Sequence, residues 1–217
     1  SNVYDFVRNP PQETINKIFD LYKRGQYLTV IEEARAVTNQ YPESYKTWNI
    51  LGASAFQIRS LDQAIQAFKK TIEIKPDFSH AYYNMGVALQ DQGKLDVSVE
   101  AYNKAISLKP DYVEAYNNIG AALKDQGKLD EALEAFHKTI KLRPDHTEAY
   151  NNIGIILKGI IFKKPNPSLY NTMALLVNQK SSARPRFIVK SLISLLKLDP
   201  ILKKHLQSFY KDQVKLP

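Results

Sequence analysis

The sequence of 217 residues contains no cysteine, one tryptophan and only eight glycines. Without cysteine, the chain can form no disulfide, no thiol nucleophile and no Cys-ligated zinc site. It also has no apolar run close to the roughly 18 to 20 residues that a transmembrane helix needs, and its first residues do not resemble a secretion signal. These absences favour a soluble protein without a membrane span, which we expect in the cytoplasm.

Residues that could form a metal site or a catalytic site are also few. The four histidines are scattered, and no two have the i, i+4 spacing of a helical metal-binding pair: His80, His137, His146 and His205. The sequence contains no glycine-rich phosphate loop and no nucleophile elbow. We therefore expect no metal site, no cofactor and no enzymatic activity in this chain.

Acidic residues are scarce in only one part of the sequence. The net charge is +8, but residues 1–157 contain 18 basic and 20 acidic side chains, whereas residues 158–217 contain 12 basic and 2 acidic ones. Such asymmetry suggests an anionic partner or a second functional unit. The candidate contacts in this basic tail are Arg184, Arg186, Lys190, Lys203 and Lys204. Few aromatic residues lie between the basic ones, so nucleic acid is disfavoured as the partner. Alternatively, the basic residues form a solvated face or dock to a further domain.

Two consecutive stretches, 79–112 and 113–146, repeat each other almost letter for letter over 34 positions. In the second copy, apolar residues recur at three- and four-residue spacing in two segments, which puts them on one face of each of two helices. A repeat this short cannot bury a core alone, so neighbouring copies must cover its apolar faces. The period therefore predicts an all-α solenoid of stacked helix pairs.

Each copy has an aromatic residue, two glycines, a second aromatic residue and a proline at equivalent positions. They are Tyr82, Gly86, Gly93, Tyr102 and Pro110 in one copy, and Tyr116, Gly120, Gly127, Phe136 and Pro144 in the next. This pattern resembles the tetratricopeptide repeat (TPR) family, and is most similar to repeats of bacterial TPR proteins and of the TPR domain of protein N-acetylglucosamine transferase. The resemblance implies a right-handed TPR superhelix that binds other proteins.

The 34-residue register predicts the domain organisation. It comprises a lead-in at 1–10, a TPR array at 11–164 (repeats 11–44, 45–78, 79–112 and 113–146, and a half-repeat 147–164) and a basic C-terminal helical cap at 165–217. Gly86 and Gly120 lie inside predicted helices, where glycine costs about 1 kcal/mol against alanine, so we expect the second helix to approach closely there. Arg59 replaces the turn glycine of its repeat, and we expect a slightly different turn.

Asparagine recurs at the fifth and sixth positions of the repeats, although it is a poorer helix former than alanine by roughly half a kcal/mol. A side-chain amide can both donate to and accept from a peptide backbone. The pattern is similar to the asparagine ladder of protein N-acetylglucosamine transferase, which implies a concave peptide-binding groove. The candidate peptide-binding residues are Asn49, Tyr83, Asn84, Asn117, Asn118, Asn151, Asn152, Asp91 and Asp125. The alternative is that duplication copied the asparagines without any role in binding.

TPR domains that bind chaperone tails hold a terminal carboxylate with a clamp of lysine, arginine and asparagine. The residues here at the clamp positions are Asn49, Ala53, Asn84, Glu114 and Asn118. Because these positions carry no cation, the sequence argues against a carboxylate clamp.

The function predicted from the sequence is therefore a non-catalytic interaction scaffold that binds a protein or an extended peptide in the TPR groove. Such a scaffold can also form a homo-oligomer. The alternative is the substrate-recruiting arm of a larger methyl-, sulfo- or glycosyltransferase, because the basic tail loosely resembles segments that follow TPR arrays in bacterial transferases.

Overall fold

The fold is that of a computed structural model, which describes residues 9–158 and Lys204. Lys204 is exposed. The predicted helical cap, the other four basic-tail candidates, residues 1–8 of the lead-in and the end of the half-repeat lie outside the described residues.

Over the described part of the chain, the secondary structure consists of nine α-helices without a strand. They are α1 Gln12–Lys23, α2 Tyr27–Gln40, α3 Tyr45–Gln57, α4 Leu61–Ile74, α5 Ser79–Asp91, α6 Leu95–Leu108, α7 Val113–Asp125, α8 Leu129–Leu142 and α9 Thr147–Leu157. Each of the stretches 11–44, 45–78, 79–112 and 113–146 thus holds two helices joined by a short turn. The predicted all-α repeat fold is confirmed.

The chain divides into two compact units between Ala122 and Leu123, inside α7. In the first unit, α1 packs on α2, α3 on α4 and α5 on α6, and these pairs are joined by contacts of α2 with α3 and of α4 with α5. In the second unit, α8 packs against α9. Neighbours in sequence are therefore neighbours in space, as expected where each repeat buries its apolar face against the next one.

Small residues of one helix face aromatic rings of its partner in the first unit. A Cβ atom built on Gly52 would lie 2.7 Å from the Phe68 ring, and one built on Gly86 would lie 2.6 Å from the Tyr102 ring. Both rings are almost wholly buried. The predicted close approach at Gly86 is confirmed, because no side chain at that position would fit beside the ring.

The turns between paired helices require a left-handed backbone residue. Gly25, Gly93 and Gly127 have φ between 73° and 76°, and Arg59 has φ of 63° at the equivalent position. The expectation of a different turn at Arg59 was wrong: an arginine adopts the same conformation, at a cost of about 1 kcal/mol or more for a residue with a Cβ atom. Its guanidinium forms an ion pair with Asp91 in the next repeat.

Candidate peptide-binding surface

A pocket of about 350 Å³ opens in the first unit between helices α1, α3 and α5. Seven of its ten lining residues are apolar or aromatic: Ile15, Ile18, Phe19, Tyr22, Ile50, Ala53 and Phe78. The other three are Lys46, Asn49 and Asn84. The pocket is therefore a mostly apolar cavity with a few polar groups, the composition that is typical of ligand-binding sites.

Helical geometry explains why these side chains meet. The lining residues of α1 stand at 15, 18, 19 and 22, and those of α3 at 46, 49, 50 and 53, so both helices follow the i, i+3, i+4, i+7 pattern. Residues with that spacing share one helix face. Because α1 and α3 pack against each other, the two faces lie side by side and form the pocket.

Asn49 carries an unsatisfied acceptor within this lining. Its Oδ1 atom is inaccessible to solvent and has no hydrogen-bond partner in the part of the chain that the structure describes. A buried polar atom in that condition costs about 1 to 3 kcal/mol. The Oδ1 atom is therefore an energetic cost within the lining, and it is not exposed to a ligand in this conformation.

Asn84 also lies in the pocket lining, on helix α5. Its side chain is half-buried, and an amide offers both a donor and an acceptor. Among the nine candidate peptide-binding residues, Asn49 and Asn84 are the two that the structure brings together in this pocket.

Asn118 lies in a different environment within the first unit. Its amide nitrogen donates to the Tyr83 hydroxyl at 3.3 Å and to the Tyr102 hydroxyl at 3.5 Å. The Tyr83 ring stacks on Tyr112 with their centroids 4.8 Å apart. Asn118 and Tyr83 thus belong to an aromatic cluster, where the amide holds tyrosine hydroxyls in place.

Two further candidates in the first unit lie outside the pocket. Asn117 is 3% exposed, and its Oδ1 atom has no partner among the described residues. Asp91 forms the ion pair with Arg59. The structure therefore gives Asp91 a role between repeats, where it joins the turn of one repeat to the first helix of the next.

The remaining candidates lie in the second unit. Asn152 is 8% exposed and accepts a hydrogen bond of 2.9 Å from the Lys124 ammonium group. Asp125 lies 4.0 Å from the same ammonium group, and Asn151 is exposed. A ligand that used Asn152 would have to compete with Lys124, whereas Asn151 is accessible.

Sequence reasoning missed Lys46 and the apolar floor of the pocket. Lys46 is the only charged residue of α3, and no ion pair to it forms among the described residues. The signal that could have found it is the shared i, i+3, i+4, i+7 spacing on α1 and α3, which places Lys46 in line with Asn49 and Ala53.

Aromatic rings continue from the pocket towards the next repeat. Phe78 of the lining contacts Tyr45 at 5.4 Å and His80 at 5.6 Å between ring centroids, and His80 contacts Tyr112 at 5.5 Å. Burial raises the pKa of Tyr102 and of Tyr112 well above the usual tyrosine value. The buried phenols therefore stay neutral far into the alkaline range.

Within residues 9–158 the structure contains no cluster of three or more metal-ligating side chains. None of the helices it describes is long and apolar enough to cross a membrane.

Comparison with protein families finds the same repeats. A family model described as "TPR repeat" matches residues 56–93 and 89–127, and one described as "Tetratricopeptide repeat" matches residues 113–146. Two curated relatives are Tetratricopeptide repeat protein 37 of Xenopus laevis, 30% identical over 31% of this chain, and the peroxisomal targeting signal receptor of Eremothecium gossypii, 33% identical over 33% of it. The matched region spans only 4% and 13% of their lengths, respectively.

Solved structures show a similar fold. A crystal structure of MamA superimposes with a TM-score of 0.62 at 24% identity and covers 82% of this chain and 94% of its own. The first TPR domain of Spaghetti (RPAP3), solved with the HSP90 peptide SRMEEVD, superimposes with a TM-score of 0.51 at 27% identity. This second match covers 52% of this chain and 89% of the relative.

Proposed function

Because this chain belongs to the tetratricopeptide repeat family, we propose that it is a non-catalytic interaction scaffold that binds an extended peptide segment of a partner protein. The observation that carries the proposal is the pocket between α1, α3 and α5, which is lined by seven apolar or aromatic residues and by Asn49 and Asn84. We place this function in the cytoplasm.

The chemistry of the pocket supports a peptide as the ligand. The two amides of the lining can pair with backbone groups irrespective of the peptide's side chains, while the apolar floor can accept one of those side chains. Helix layers lie about 10 Å apart and an extended chain advances about 3.3 Å per residue, so a segment of roughly six residues would span α1 to α5.

A comparison with Spaghetti supports the same class of ligand but a different chemistry. That relative was solved with a peptide that ends in an acidic residue. The cationic positions of the clamp hold Asn49, Glu114 and Asn118 in this chain, and Asn49 lines the pocket. The proposal for this chain is therefore an internal segment held by amides and apolar contacts.

Selection from a random peptide library on the immobilised full chain tests the proposed function. We expect enriched peptides whose affinity falls about three- to tenfold in the Asn84→Ala variant, since each hydrogen bond contributes about 0.5 to 1.5 kcal/mol. The Asn103→Ala variant makes the same chemical change at an exposed position of α6, outside the pocket lining, and should bind like the parent. A library that yields no enriched peptide would contradict the proposal.

The unsatisfied acceptor predicts a conflict between stability and binding at Asn49. Replacing Asn49 by leucine should raise the free energy of unfolding by about 1 to 2 kcal/mol, because it removes a buried polar atom without a partner and adds a better helix former. The same change should weaken the selected peptides. Urea unfolding of parent, Asn49→Leu and Asn103→Leu measures the effect; the last variant should gain only the difference in helix propensity, roughly half a kcal/mol. Equal increases in the free energy of unfolding for Asn49→Leu and Asn103→Leu would show that the unbonded acceptor of Asn49 has no energetic cost.

A further inference from the structure

The charge of the pocket indicates more about its ligand than the amides do. None of its ten lining residues is acidic, and Lys46 is its one cationic side chain. Another lysine of this region, Lys17 on α1, is already paired with Glu33 at 2.9 Å. Lys46 has no such partner in the part of the chain that the structure describes, so its charge is available to an anionic group on a ligand.

The apolar floor lies on the same two helices as Lys46. Lys46 stands on one helix face with Asn49, Ile50 and Ala53, and Ile15, Ile18, Phe19 and Tyr22 lie opposite on α1. Phe19 is 49% exposed, which is high for a phenylalanine. A pocket of about 350 Å³ is near the small end of the roughly 300 to 1,000 Å³ found for ligand sites, a size suited to one bulky side chain with its adjacent backbone.

We propose that this pocket recognises an internal linear motif in which one bulky apolar side chain stands within about two residues of an aspartate or glutamate. The apolar side chain fills the space between α1 and α3, and the carboxylate pairs with Lys46. The half-buried amide of Asn84 pairs with the peptide backbone on the side towards α5. The inference rests on the proposed function, since it names the class of peptide that the same site binds.

An internal carboxylate fits better than a chain terminus. The lining extends from α1 across α3 to Asn84 on α5, and Lys46 stands on the middle helix, so a strand that crosses all three helices would meet Lys46 within the chain. A terminal carboxylate would instead require a closed end with several cationic groups, and the lining offers Lys46 alone.

Charge reversal at Lys46 provides the test. Random peptides whose two ends are both fused to a carrier protein are selected on the parent chain and on the Lys46→Glu variant. The Lys69→Glu variant is the control, because its change lies at an exposed position of α4 outside the pocket lining. We expect the parent and Lys69→Glu to enrich peptides with a bulky apolar residue close to aspartate or glutamate. Lys46→Glu should instead enrich lysine or arginine at that place. A synthetic copy of the best parental peptide should bind Lys46→Glu about tenfold more weakly, because like charges then face each other.

The outcomes separate this inference from the proposed function. Enriched peptides that lack the apolar residue, or that keep their acidic residue on Lys46→Glu, would overturn the inference and leave the proposed function standing. Enrichment only from a second library with free carboxyl termini would also overturn it, since the carboxylate would then be terminal. A failure of both libraries to yield binders would overturn the inference together with the proposed function.

Discussion

Replacing Gly86 by leucine is expected to lower the free energy of unfolding by about 2 kcal/mol. A Cβ atom at this position would lie 2.6 Å from the ring of Tyr102, which is fully buried, so ring and helix would have to move apart. Such overpacking costs up to about 3 kcal/mol, and the better helix propensity of leucine returns about 1 kcal/mol. For a chain of this size, the melting temperature should fall by roughly 4 to 8 °C.

Two control variants separate crowding from other causes. At Gly93 a Cβ atom would meet nothing within 4 Å, but φ is 76°, so Gly93→Leu should cost about 1 kcal/mol through backbone strain alone. Combining Gly86→Leu with Tyr102→Ala should cost less than the sum of the two single changes, because removal of the ring makes room. Strictly additive costs would contradict the close contact between the two helices.

Ionisation of Tyr102 and Tyr112 in the unfolded chain is expected to lower the free energy of unfolding by about 3 kcal/mol between pH 8 and pH 11. Burial raises the pKa of Tyr102 and Tyr112 in the folded state, whereas both ionise near pH 10 in the unfolded chain. The folded state therefore holds its phenolic protons more tightly. The stability contributed by the neutral phenols is fully present below about pH 10 and falls by about 1.4 kcal/mol per pH unit for each tyrosine above it.

Urea unfolding at a series of pH values measures this loss. Tyr102→Phe should reduce the slope above pH 10, since one of the groups whose pKa is raised in the folded state no longer titrates. Its stability at neutral pH should fall by about 1 kcal/mol, because the Tyr102 hydroxyl donates to Gln90 at 2.8 Å. An unchanged slope in Tyr102→Phe would show that this phenol ionises equally easily in both states.

The repeat architecture could be predicted because its signals are local. Apolar spacing marks two helices per repeat, and the left-handed turn positions are mostly glycines. Arg59 shows where local inference fails: the sequence suggested a different turn, but the backbone there has the same positive φ as at the glycines. Arg59 also forms an ion pair with Asp91 of the next repeat, which stands 32 residues further along the chain.

The asparagines show more clearly that a local sequence pattern does not specify contacts between repeats. Asn84 and Asn118 occupy equivalent repeat positions, so the sequence treats them alike. In the structure, Asn84 lines a pocket while Asn118 donates to Tyr83 and Tyr102. The amides differ because their neighbours in space differ. The role of the basic tail and the transferase arm remain predictions, since they concern residues outside the described part.

The sequence by itself determined the repeat length, the all-α fold and the contact between Gly86 and its partner helix, because each follows from the spacing of residues along one or two helices. Only the tertiary structure decided which polar groups are available to a ligand. Asn84 lines the pocket and Lys46 has no counter-ion among the described residues, whereas Asn118 is already bonded. Hydrogen bonds and ion pairs between helices depend on distances of a few ångströms between residues far apart in the chain, which repeat periodicity does not specify.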